Sequence, residues 1–122
     1  MTKAVRGAIQ VGQNDWTSIH DAATRLLSEV LTTNAITREN IISIMFSVTE
    51  DLDAGNPATG VRKAGFTETP LFCVQEARVK GGMPRIIRAL VTFDGPAGRK
   101  VTGVYLDGAE SLRPDIAFGG AP

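Results

Sequence analysis

The spacing of apolar positions changes several times along the chain, and each change marks an element. In residues 3–11, "KAVRGAIQV", Val5, Gly7, Ile9 and Val11 alternate with Ala4, Arg6, Ala8 and Gln10, which predicts a strand with one buried face. "GQND" breaks that period and offers Asn14 or Asp15 as a helix N-cap. From Trp16 the spacing becomes three and four: Trp16, Ile19, Ala23, Leu26, Leu27, Val30 and Leu31 form one stripe of a helix that stops near "TTNA". "TREN" reads as a short helical turn capped by Thr37. "IISIMFSVT", residues 41–49, is apolar nearly throughout, which predicts a strand buried on both faces with Met45 and Phe46 in the core.

Further along, "NPATGVRKAG" sets Asn56 as a cap before Pro57, with Gly65 closing a short helix. "PLFCVQEARV" (70–79) and "PRIIRALVTF" (84–93) read as third and fourth strands turning at Gly81–Gly82, and "RKVTGVYL" (99–106) as a fifth. "DGAESLRPD" is a short turn or helix, and the tail from Ile116 frays unless something docks it. The order predicts an α+β fold: a mixed sheet of about five strands packed against one long helix. One helix covers one face of such a sheet. The other face is apolar too, so further copies of the chain are expected to cover it, making a symmetric homo-oligomer.

Composition narrows the picture. At 122 residues, with no repeat or linker, the chain is expected to be a single domain over 1–122. Thirteen basic and thirteen acidic residues cancel, and no basic run could track a phosphate backbone, which argues against nucleic acid as a partner. No stretch has the length of a signal peptide or a membrane span, so no membrane partner is expected. Cys73 is the only cysteine, which excludes an internal disulfide and suits a cytoplasmic location. With His20 the only histidine, a Cys/His metal site within the chain is set aside. Nucleophilic catalysis by Cys73 with His20 would require the two to meet, and His20 reads as a helix position among polar neighbours.

The candidate chemistry lies where polar residues interrupt strands: Arg6 in the first, Glu76 in the third, Arg88 in the fourth and Tyr105 in the fifth. A guanidinium left unpaired in a dry interior costs several kcal/mol, roughly, so Arg88 within "RIIRALVTF" must face something. An ion pair with Glu76 across a hairpin is the plain reading. Taken together, two arginines, a carboxylate and a phenol on one small sheet make a rigid site without a nucleophile–base pair. That site suits a small dianion, held in shape and stabilised as charge separates.

These residues, in order, resemble the trimeric α/β chorismate mutases rather than the all-helical class. The likeness runs through "VRGA" (5–8), "TEDL" (49–52), "PA" (57–58) with Arg62, "CVQE" (73–76), "GG" (81–82), "IIR" (86–88), "VYL" (104–106) and "LRPD" (112–115). The resemblance implies conversion of chorismate to prephenate by a Claisen-type rearrangement, in phenylalanine and tyrosine biosynthesis. It also implies a homotrimer with a barrel-like core and active sites between subunits, and a reaction that needs no cofactor or metal. On that likeness, Arg88 would donate to the breaking ether oxygen and a carboxylate. Glu76 would accept from the ring hydroxyl, with Cys73 and Val74 at the same end. Arg6 and Tyr105 would hold a carboxylate, and Arg62, Ala58, Leu112 and Arg113 would line or close the mouth.

Two positions depart from the family pattern: Asn56 stands where an aromatic residue is usual, and Thr59 where a lysine is. The loss of that cation is expected to raise KM more than it lowers kcat. Cys73 and Glu76 are three residues apart, so alternation sets them on opposite faces unless a bulge intervenes or Cys73 acts through its backbone. Two other readings stay open: a trimeric deaminase of enamines and imines, and a non-catalytic binder of a shikimate-pathway acid.

Overall fold

The computed structural model describes residues 1–112. Its elements are β1 (Thr2–Gln10), α1 (Trp16–Thr33), a 3-10 turn at Arg38–Asn40, β2 (Ile41–Val48), α2 (Pro57–Lys63), β3 (Leu71–Gln75), β4 (Ile86–Asp94), β5 (Val104–Leu106) and a second 3-10 turn at Ala109–Leu112. The sheet runs β3-β2-β4-β1-β5. β4 lies at its centre, antiparallel to both β1 and β2, and the two edge strands are parallel to their neighbours.

Helix α1 starts where the side chain of Asp15 accepts the Ser18 N–H at 2.7 Å, and that bond lowers the Asp15 pKa. Ile19, Ala23, Leu26, Leu27 and Val30 are buried against Val5, Ile9, Ile44, Phe46, Ile87 and Val91 of the sheet. Gly7 is what lets the helix come this close. A Cβ there would lie 2.9 Å from the Val104 carbonyl oxygen and about as near to Val30 and Leu26. The helix ends at Asn34, whose buried side chain donates to Val30 O and Thr102 O and accepts the Thr102 N–H at 2.7 Å.

Short α2 joins the same layer. Asn56 caps it by accepting the Ala58 N–H, Pro57 occupies its first turn, and Val61 reaches the core. Gly60 packs directly on His20, where a Cβ would come within 2.8 Å of the imidazole side chain. His20 is therefore buried between the helices, contrary to the expectation of a polar setting. Its Nε2 accepts the Asn56 N–H at 3.4 Å, and burial with nearby Lys63 lowers its pKa.

Five further expectations are corrected. Strands three and four form no hairpin, because α2 returns the chain to run parallel beside β2, leaving β2 between β3 and β4. β3 stops at Gln75, and β5 begins only at Val104 because both backbone groups of Thr102 are bonded to the Asn34 side chain rather than to a ladder. β2 is not buried on both faces: Ile44 and Phe46 face the helices, whereas Met45 is 45% exposed on the other side. Thr37 precedes the first 3-10 turn but makes no side-chain cap bond. The tail from Ile116 lies outside the described residues.

Candidate active site

Alternation in each strand sends one set of side chains away from the helices. On β4 these are Ile86, Arg88 and Leu90, while Ile87, Ala89 and Val91 turn inward. On β1 the outward set includes Arg6 and Ala8, on β2 Met45 and Ser47, and on β5 Tyr105. One end of this open face is closed by the Ala109–Leu112 turn, where Ala8, Ile86 and Ala109 are buried with Met83, Tyr105 and Leu112 around them. The rest is uncovered in the single chain. Phe72 is 62% exposed and Leu90 38%, beside Met45 and Val74.

Between the covered and bare parts lies a cavity of about 220 Å³ lined by Arg6, Met45, Ser47, Arg88, Leu90 and Tyr105. Pockets for drug-sized ligands run to roughly 300–1,000 Å³, so this one suits a small acid. Register explains the convergence. Arg88 sits opposite Ala8 on one side and Ser47 on the other, Ala8 is in turn opposite Tyr105, and Arg6 is opposite Leu90. Arg88 donates from Nε to Glu76 Oε1 at 2.6 Å. Ser47 Oγ donates to the same oxygen at 3.3 Å, and the Glu76 N–H donates to Val48 O at 2.7 Å.

The ion pair expected across a hairpin is present by a different route: Glu76, just past the end of β3, reaches over Ser47 of β2 to meet Arg88. Its oxygen Oε1 takes two donors, leaving Oε2 and both Arg88 Nη groups without a side-chain partner among the described residues. Arg6 likewise enters no ion pair among them. Two guanidiniums and one carboxylate leave the site with a net single positive charge. Ser47 was not singled out from sequence; the signal was available, since it and Ser43 are the two polar residues inside an otherwise apolar strand.

Other expected residues lie elsewhere. Cys73 pairs with Phe46 in an unbroken β3–β2 register and packs on the helix-side core, so no bulge turns its thiol to the cavity. Burial pushes the thiol pKa up, and its weak hydrogen bond goes to Val74 O, while His20 is engaged with Asn56; the two form no nucleophilic pair. Val74 is opposite Ser47 on the open face. Ala58 is buried and Arg62 exposed on α2, in the helix layer and on the far side of the sheet from the cavity. Arg113 lies outside the described residues.

A larger groove of about 820 Å³ follows α1 and α2 past Trp16 and Lys63, but Asp21, Arg25, Glu29 and Lys63 alternate in sign along it and do not converge. Size alone does not make it the site. Among the described residues no group of three or more His, Cys, Asp or Glu could hold a metal ion, and no helix is long and apolar enough to cross a membrane.

Comparison with known proteins gives the family and the fold. The family model for chorismate mutase type I matches residues 2–116. The chain is 40% identical over 119 residues to the chorismate mutase AroH of Thermus thermophilus, covering 95% of this chain and 97% of that protein. It is 31% identical over 120 residues to the chorismate mutase AroH of Bacillus subtilis (strain 168), covering 97% and 94%. Among solved structures, a chorismate mutase from Clostridium thermocellum superposes with a TM-score of 0.86 at 37% identity, covering 90% of this chain and 99% of that one.

Proposed function

The chain belongs to the type I chorismate mutases, and from that premise we propose that the open-face cavity is its active site. The enzyme is an isomerase that converts chorismate to prephenate, toward the aromatic amino acids. One ether C–O bond breaks as one C–C bond forms within the same molecule. No proton or electron is exchanged with the protein. Its tasks are to select the compact conformer and to stabilise charge as it separates.

Arg88 is the residue best placed for the second task. Glu76 holds its Nε, which fixes the guanidinium before substrate arrives and leaves the Nη groups for the ether oxygen and a carboxylate. Negative charge grows on that oxygen as the bond breaks, so a preset cation gains more in the transition state than in the ground state. Glu76 accepts the ring hydroxyl at Oε2, since Oε1 is taken by Arg88 and Ser47. Arg6 and Tyr105 hold a carboxylate against the sheet. Val74 lines the same end, where Cys73 contributes through its main chain. The observation that carries this reading is the convergence of Arg6, Arg88 and Tyr105 on one small cavity in an otherwise apolar face.

The working form is a cytoplasmic homotrimer whose three sheets enclose a barrel-like core, with the sites between subunits. Two features support it. The bare apolar surface at Met45, Phe72 and Leu90 needs cover, and a net single positive charge is too little for a dianion. Ala58 and Arg62, on the wrong side of their own sheet, complete the mouth of a neighbour's site, and Leu112 lines it. Asn56 is committed to capping α2, and Thr59 supplies no charge, so KM is raised.

The test is the loss of chorismate's diene absorbance on adding purified protein. Rapid loss with prephenate as the product, absent from Arg88→Ala, is expected. Saturable binding of chorismate without turnover would overturn the catalytic reading.

A further inference from the structure

Next to the cavity, at the end of the sheet where β2 finishes and β4 begins, the turn at 49–51 and Arg85 form a hydrogen-bonded knot. The Thr49 N–H donates to Ile86 O at 3.1 Å, and Thr49 Oγ1 accepts the Ile86 N–H at 3.0 Å. That hydroxyl donates in turn to Asp51 Oδ1 at 2.5 Å. The Asp51 carboxylate accepts the Arg85 N–H with both oxygens, at 3.1 and 3.0 Å. On the other side, Arg85 Nε donates to Val11 O and Arg85 O accepts the Val11 N–H, both at 2.8 Å.

Arg85 has φ of +54°, a left-handed conformation that residues with a Cβ seldom adopt, so its surroundings must hold it there. The same turn reaches the other half of the site's ion pair. Val48, immediately before Thr49, accepts the Glu76 N–H. Val48 at the end of β2 and Thr49 at the start of the turn thus bind backbone at Glu76 and at Ile86, two residues before Arg88. At its far end the β2–β4 ladder carries a register shift between Ile41 and Ser43, whereas from Ser43 to Val48 the pairing is unbroken, and the knot at Thr49 and Ile86 closes that regular stretch at the end nearest Arg88. Neither Thr49 nor Asp51 lines the cavity.

We propose that Thr49 and Asp51 are positioning residues for the rearrangement: their clamp on Arg85 and Ile86 sets the height of Arg88 along β4, level with Glu76. The inference rests on the cavity being the active site. A displacement of about 1 Å at such a group can cost on the order of a hundredfold in rate, which is the sensitivity the clamp serves.

The test compares Thr49→Val, which removes the hydroxyl at nearly constant shape, with Thr49→Ser, which keeps it, and with Asp51→Ala. All are assayed with chorismate at a temperature where circular dichroism shows each variant folded. The expected result is a fall in kcat of about tenfold or more for Thr49→Val and Asp51→Ala, with KM within about twofold, and recovery of most of kcat in Thr49→Ser. In parallel, amide hydrogen exchange at Glu76, Ile86 and Arg88 accelerates in Asp51→Ala.

A purely structural role would lower the melting temperature and leave kcat of the folded enzyme intact. That result, or a Thr49→Ser variant as impaired as Thr49→Val, overturns the inference alone. Unchanged exchange at those amides overturns it whether or not chorismate reacts. Wild-type protein that leaves chorismate unaltered overturns the reading of the cavity and this inference together.

Discussion

Ile87 and Arg88 are neighbours on β4, yet one is fully buried against the helices and the other has 43% of its side chain exposed in a charged cavity. The two faces of the sheet share every strand, so the same backbone ladder serves both. The helix-side face, packed by Val5, Ile9, Phe46, Ile87 and Val91, is uniformly apolar and owes its cohesion to burial. The open face mixes Arg6, Ser47, Arg88 and Tyr105 with bare Met45, Phe72 and Leu90. Burial on one side holds the strands, and the strands carry the guanidiniums on the other.

The sharpest way to break the comparison is to truncate the two neighbours separately. Arg88→Ala lowers turnover by roughly three orders of magnitude, the upper range for loss of one charge-stabilising donor, and leaves the melting temperature close to that of the parent. Ile87→Ala does the reverse. It costs about 2–5 kcal/mol in denaturant titrations, while kcat of the folded fraction stays within a few-fold. If Arg88→Ala unfolds the protein instead, the open face is structural and the distinction between the faces collapses.

Phe72→Asp tests what covers the bare part of the open face. A charge at an interface core is expected to convert a trimer into smaller species by gel filtration, with activity falling as sites lose their neighbour. A parent chain that elutes as a monomer at full activity would show that one chain suffices.

The helix side has its own weak point in His20. Its folded pKa is lowered by burial and by Lys63, against a smaller raising effect from Asp21, so between that value and the usual 6.5 the unfolded chain binds more protons. The resulting stability is complete above about pH 6.5 and is lost as pH falls through the folded pKa. The melting temperature should fall as pH drops below about 6.5, and His20→Gln should flatten that slope. Asp15 and Asp94 are both held below the ordinary carboxylate value and act only at lower pH.

Cys73→Ser gives the smallest effect. The thiol packs on the helix-side core, so stability falls by about 1 kcal/mol while most of kcat remains. Complete loss of activity would bring back a thiol mechanism.

Much of this protein is legible from residue spacing. The period of two in "KAVRGAIQV", the stripe from Trp16, the Asp15 cap and the Asn56–Pro57 start of α2 are local, because they depend on how each residue relates to neighbours a few positions away. The residues that interrupt apolar strands are also visible, since a charge among hydrophobic neighbours must be answered by something. What those residues face is a different kind of fact. The prediction of a hairpin between strands three and four failed because which strand lies beside β4 is decided by long-range packing, and the sequence interval 76–85 fits either arrangement.

Tertiary structure alone decided that Met45 lies on the bare face, that Cys73 turns to the core and that His20 is buried under Gly60. In each case the residue's own period was compatible with both outcomes. It also decided the part of Ser47, which gains its meaning only because Glu76 reaches over it to Arg88. Sequence by itself determined the order of the elements, the caps at Asp15 and Asn56 and the charged residues that interrupt the strands, because those follow from local sterics and from the cost of burying charge. The pairing of strands, and so the geometry of that site, came from contacts between residues far apart in the chain, whose closure no local pattern encodes.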